Sequence, residues 1–229
     1  MTNTFKESFY FFQKNSLKLL LYTFSIGLLI VFLATLIVPV FFSDMGAQEI
    51  NTETIKPFAQ LLDLLVKPIY TGGLVTLIYA LAMGNKASIA NSLFSGIVRW
   101  PYMLVANVLT SILVFAGLMA FFLPGIWIFS RLFLVPYLII LKKQTPFSAL
   151  IQSYQYTKGY SLVILTDMSF LIIFFIVTAL SLDVLQLTHP ILLLILLLLF
   201  QTMAYVIYYR HYEILEKKFH SRTDITPPV

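Results

Sequence analysis

"LPGIWIFSRLFLVPYLIILKK", Leu123 to Lys143, decides how the whole chain is read. Apart from Arg131 it is apolar until Lys142 and Lys143 close it. Gly125 to Leu141 sits at the short end of the roughly 17 to 25 residues that a helix needs to cross a bilayer core. A guanidinium at the centre of such a helix costs about 2.5 to 3.5 kcal/mol by insertion scales, so Arg131 must find a partner, a headgroup or a ligand.

Working outward, composition makes the same demand of the whole chain. With 59% hydrophobic and 11% charged residues over 229 positions, there is too little polar surface to cover a water-soluble core. The mean hydropathy of +0.90 agrees. The absence of cysteine excludes disulfides and thiolate chemistry. The formal charge of +5 is scattered between apolar runs rather than gathered on one module, which points to anionic lipid headgroups and away from nucleic acid.

Six runs fit the length of a span, giving an all-α integral membrane protein with spans at about 19–42, 65–83, 101–123, 125–141, 160–182 and 190–209 and a tail at 210–229. "PFAQLLDLLVKP" lengthens the second or leads into it, and the outer loop runs from Ser43 to Lys67. The first run exceeds a secretory h-region and lacks a small-residue cleavage site, so it is kept as a span. Basic residues set the orientation. With the N-terminus inside, Lys6, Lys14, Lys86, Arg99, Lys142, Lys158, Arg210 and Lys217 are cytoplasmic, and only Lys56 and Lys67 fall outside. Both termini are then cytoplasmic.

Short stretches before the first, third and fifth spans carry apolar residues at helical spacing: Phe5, Phe9 and Phe12; Ile89, Leu93, Ile97 and Trp100; Phe147, Leu150, Ile151 and Tyr154. Their opposite faces are polar, as in helices that lie in the inner interface. Aligning the three brings Ser8, Ser92 and Ser153 into register, each followed by Lys14, Arg99 or Lys158 and then a span. The pattern predicts three repeats of interfacial helix plus transmembrane hairpin. The competing explanation is that any chain entering a membrane from its basic side shows such residues at the boundary.

Leu123 to Gly159 resembles the signature of the YciC-type bacterial inner-membrane proteins and the related membrane domain of some glycerophosphodiester phosphodiesterases. The matching positions are Pro124, Gly125, Arg131, Pro136, Ala149, Ser153, Tyr156, Lys158 and Gly159. The resemblance implies a multi-pass protein of the bacterial inner membrane whose molecular activity is uncharacterised, and it supplies no reaction.

Nothing in the chain assembles the phosphodiesterases' catalytic half. His189, His211 and His220 fall in an outer loop and the tail with no second ligand at a useful interval, so they read as solvated, with no metal site and no cofactor. No nucleophile elbow or phosphate loop appears, and the expectation is a protein that is not an enzyme. The glycines of "TGGLVTLIYALAMG" read as close-packing positions between spans.

Arg131 lies roughly 9 Å in from the outer end at Gly125, and Asp167 roughly 10 Å in from the cytoplasmic edge at Tyr160 on the next span, so their depths differ by about 6 Å, which an arginine side chain covers. Spans joined by a short loop usually pack together, so the leading expectation is an ion pair between Arg131 and Asp167. Its alternatives are an Arg131 that snorkels to headgroups, and an Asp167 kept protonated by burial against a Ser or Thr. Two functions follow. The chain organises the membrane or envelope through lipid or partner contacts, or it handles a small solute or lipid with Arg131 and Asp167 as a polar intramembrane site. In the second case Asn107, Thr110, Ser111, Thr166 and Ser169 line a small cavity.

Overall fold

The structure, a computed structural model, describes residues 3–41, 52–86, 88–184 and 190–223. Every regular element among them is helical: α1 (Asn3–Phe41), α2 (Thr52–Ala82), α3 (Ile89–Val98), α4 (Trp100–Ala120), α5 (Phe122–Leu132), α6 (Val135–Leu141), α7 (Pro146–Tyr156), α8 (Ser161–Val184) and α9 (Pro190–Thr223). Four stretches of these residues are long and apolar enough to cross a membrane: Gln60–Ala82, Trp100–Ala120, Leu123–Leu141 and Ser161–Leu182. They correspond to the second to fifth expected spans. The other two, at 19–42 and 190–209, fall within α1 and α9, with residue 42 outside the described residues. Of the expected outer loop, residues 43–51 lie outside the described residues. The rest is helical, so "PFAQLLDLLVKP" does lengthen the second span.

The four stretches differ in depth. In the 18-residue apolar window of each, 61% is buried inside the protein for Leu123–Leu141 and 50% for Gln60–Ala82, against 17% for Trp100–Ala120 and 22% for Ser161–Leu182. α2 and α5–α6 are therefore central, and α4 and α8 turn Ile112, Phe115, Ile173 and Phe174 outward. An apolar surface of that extent suits hydrocarbon rather than water. Leu19, Leu74, Leu77, Leu134, Leu138 and Ile207 form the fully buried centre. Two of the buried tyrosines spend their hydroxyls on main-chain carbonyls: Tyr22 donates to Tyr70 O at 2.9 Å and Tyr137 to Tyr205 O at 2.6 Å.

The three amphipathic stretches depart from expectation. The first is no separate element, because α1 runs unbroken from Asn3 to Phe41. The second, α3, doubles back along α2. A Cβ on Gly96 would lie 2.4 Å from Ile69 O, Thr76 Oγ1 donates to Ser95 Oγ at 3.2 Å, and Trp100 Nε1 donates to Leu65 O at 2.7 Å. The inward face of α3 is the reverse of that in a helix on water. In α3 the buried residues are Ser92 and Gly96, while Phe94, Ile97 and Val98 are exposed. In α7 Pro146, Ala149, Leu150, Ser153 and Tyr156 are buried, while Phe147, Ile151, Ser148 and Gln155 are outside, so apolar and polar residues fall on both sides. Beside lipid the apolar face gains little by turning inward, so size decides, and small residues allow backbones to approach.

The chain ends of these elements follow local rules. α2 closes in a Schellman motif on Gly84 (φ 71°), with Asn85 N donating to Ala80 O at 2.9 Å and Gly84 N to Leu81 O at 3.2 Å. At the other end of the sequence, α9 does not stop at Tyr209. It continues to Thr223 with Tyr212 and Leu215 buried, so most of the expected tail is packed helix; residues 224–229 lie outside the described residues.

Candidate functional site

Arg131 sits at a break in the central helix. α5 ends at Leu132 and α6 starts at Val135, with Pro136 unable to donate a main-chain hydrogen bond back into α5. α7 covers the break. Ser153 Oγ donates to Arg131 O at 2.7 Å and Thr157 Oγ1 to the same oxygen at 3.3 Å. The guanidinium lies between two aromatic faces, its carbon 4.7 Å from the Trp127 ring centre and 4.4 Å from that of Tyr154. Nη1 donates to Tyr154 O at 3.3 Å, and Nε is buried without a hydrogen-bond partner. Cation–π contacts of a desolvated cation are worth about 2 kcal/mol, which offsets part of the charge's burial. The arrangement encloses Arg131, 6% exposed, and fixes α7 to the helix break.

The expected ion pair is not formed: among the described residues no salt bridge joins Arg131 to Asp167. Asp167 faces α9 instead, where its Oδ2 lies 3.1 Å from His211 Nε2. The reason is the position of α7, which takes up the side of α5 that carries Arg131. Neither ring nitrogen of His211 meets hydrogen-bond geometry, so this contact is close but not aligned. The rings of Tyr160 and Phe133 stand edge-on to His211 at 5.8 and 6.1 Å. His211 is fully buried, which corrects its reading as a solvated tail residue. The missed signal was Tyr208, Tyr212 and Leu215, apolar at helical spacing beyond the assumed end of the span. His189 lies outside the described residues.

The remaining motif positions are structural. A Cβ on Gly125 would lie 2.4 Å from Leu118 Cγ, so this residue sets the crossing of α4 and α5. Pro124 and Lys158 are exposed, and Gly159 (φ 77°) makes the turn between α7 and α8. Tyr156 accepts from Lys142 Nζ at 3.0 Å, and Lys142 also pairs with Glu216 at 2.9 Å. Partial burial pulls the Lys142 pKa down, but the hydrogen bonds to Tyr156 and Glu216 and the Glu216 charge outweigh it, leaving a net rise.

A cleft of about 640 Å³ opens beside the break, walled by α2, α4, α5–α6 and α9. Met103, Ala106, Phe129, Leu132, Phe133 and Leu197 make an apolar interior. Thr71, Asn107, Thr110, Gln201 and Tyr205 add polar groups, and Asp63 and Lys67 add opposite charges. Of the expected cavity residues, Asn107 and Thr110 line it. Ser111, Thr166 and Ser169 are exposed instead, and the cleft wall does not include Arg131. Pro136, whose missing donor makes the break, forms part of the wall. The volume is of the size that small-molecule and cofactor sites occupy, about 300 to 1,000 Å³. Compared with protein-family models, with curated proteins and with solved structures, the chain finds no match.

Proposed function

We propose that the chain is a polytopic protein of a bacterial inner membrane that binds a lipid acyl chain in the cleft between α2, α4, α5–α6 and α9. The cleft carries this reading: an apolar interior of about 640 Å³ in a membrane protein is a place for hydrocarbon before it is a path for water. Arg131, shut between Trp127 and Tyr154, serves the architecture, so the polar intramembrane site moves from Arg131 and Asp167 to the cleft. No catalytic step is needed. Six crossings with both termini cytoplasmic accompany the proposal, supported by the distribution of Lys and Arg. The resemblance of Leu123–Gly159 to the YciC-type proteins supports the inner membrane. Three repeats are supported by Ser8, Ser92 and Ser153, in register and each buried.

A second reading has its own observation. Phe94, Ile97 and Val98 of α3 with Phe147 and Ile151 of α7 are exposed apolar residues, suited to anionic membrane or to a protein partner in a membrane-organising role. The experiment that tests the first reading is photolabelling with a phospholipid that carries a diazirine in its acyl chain. Label is expected on Met103, Ala106, Phe129, Leu132 and Phe133, which line the cleft. Label confined to the outward face of α8, around Ile172 to Phe174, would overturn it.

A further inference from the structure

Asp63 and Lys67 stand one helical turn apart on α2, and both line the cleft. Residues at this spacing share a helix face and often pair. Here they do not: among the described residues neither makes an ion pair, with the other or with a third residue. Both are exposed beside an apolar hollow. The cleft therefore presents a carboxylate and an ammonium, side by side and uncommitted, next to a space for hydrocarbon.

We infer that the cleft selects a zwitterionic phospholipid with a primary ammonium, its phosphate against Lys67 and its ammonium against Asp63. The inference rests on the acyl-chain reading and adds the headgroup to it. An anionic lipid gives Lys67 a partner but sets its phosphate against the Asp63 carboxylate. A zwitterion satisfies both charges at once, and each contact is a charge-assisted hydrogen bond. Selectivity then comes from the repulsive element as much as from the attractive one. Thr71 and Asn107, in the wall of the same cleft, offer hydrogen bonds to the ester region below the headgroup. The net charge of +5, distributed elsewhere on the chain, draws anionic lipid to the protein in general and not into this cleft.

The test is native mass spectrometry of the full chain released from nanodiscs of equal parts phosphatidylethanolamine and phosphatidylglycerol with identical acyl chains. Retained lipid is expected to be enriched in phosphatidylethanolamine by about tenfold, a difference of about 1.4 kcal/mol. Asp63→Asn should abolish the enrichment in favour of phosphatidylglycerol, and Lys67→Gln should reduce retention of both lipids. The exchange of the two charges, Asp63→Lys with Lys67→Asp, should restore the preference. Equal retention by the unaltered chain, or a ratio indifferent to Asp63→Asn, overturns the headgroup assignment. Thr110→Trp, which fills the cleft, separates the two failures. If it leaves retained lipid unchanged, the acyl-chain reading falls as well; if it displaces lipid whose ratio ignores Asp63, the headgroup inference falls alone. Leu197→Trp, on the opposite wall and half exposed, replaces it should the first variant not fold.

Discussion

Asp167 Oδ2 and His211 Nε2 lie 3.1 Å apart, with His211 fully buried and Asp167 6% exposed. The pair fastens α8 to α9. Leaving a buried polar group without its partner costs about 1 to 3 kcal/mol, while replacing both partners by apolar groups is often nearly neutral. Asp167→Leu and His211→Leu should each lower stability to chemical unfolding in lipid micelles, and the double variant should recover most of it. A coupling of about 0.5 to 3 kcal/mol is expected. Additive losses in this cycle, with coupling found in an Arg131 and Asp167 cycle instead, would return Asp167 to Arg131.

At the helix break the stacked plane of the guanidinium matters more than its charge. Arg131→Lys keeps the charge but loses the flat face that lies between Trp127 and Tyr154. It should therefore destabilise more than Arg131→Met, which leaves no buried charge. Melting curves of the two variants decide the point, and a Lys variant as stable as the unaltered chain would show that charge alone suffices.

Ser153 and Thr157 share one acceptor, the Arg131 carbonyl, at 2.7 and 3.3 Å. Leaving a buried carbonyl unsatisfied costs about 1 to 3 kcal/mol. Ser153→Ala leaves Thr157 still donating to that oxygen, so it should cost about 0.5 to 1.5 kcal/mol, the net worth of one hydrogen bond. Thr157→Ala should cost less, since its hydroxyl also donates to Ser153 O at 2.8 Å and is the weaker of the two at Arg131. Hydrogen exchange at residues 133–135 gives an independent readout, with faster exchange expected in Ser153→Ala.

Gly96→Ala and Gly159→Ala separate crowding from backbone strain. The added Cβ at Gly96 meets Ile69 O at 2.4 Å and Gly73 N at 2.8 Å, main-chain atoms that cannot swing aside. Overpacking of about 1 to 3 kcal/mol is expected, with α3 loosened from α2. At Gly159 the space is open, and the cost is the left-handed conformation alone, about 1 to 2 kcal/mol. Proteolysis between residues 84 and 100 should rise in the first variant and stay unchanged in the second.

The Lys142 contact with Tyr156 and Glu216 carries a pH signature. Because the folded pKa of Lys142 is raised, its contribution is complete below the ordinary lysine value of about 10.4 and is lost only as pH rises through the folded value. Stability differences between the unaltered chain and Lys142→Met should be flat from neutral pH to about 9 and shrink above about 10.4. The partly exposed setting limits the difference to about 1 kcal/mol. A difference that vanishes near neutral pH would assign the effect to another group.

The sequence by itself determined the solvent and the material: long uncharged runs such as Trp100–Ala120 have nowhere to go but a bilayer, and their backbones must be helical there. It also marked Gly72 and Gly73 as positions of close approach, whereas Gly84 of the same run has open space around it and closes a turn, and the close contacts of Gly96 and Gly125 came from the tertiary structure. What it did not determine was which face of α3 and α7 turns inward. Polarity marks the inside only when the outside is water: in α3 the small Ser92 and Gly96 go in while Phe94 stays out, and in α7 Ser153 goes in together with Leu150 and Tyr156. Nor did it determine the partners of its buried charges. By residue count Arg131 and Asp167 differ by only about 6 Å in depth on neighbouring helices, but only the placement of α7 assigned one to a pair of aromatic faces and the other to His211. Depth along a helix is set by counting residues, whereas the direction around it is set by everything that packs against it.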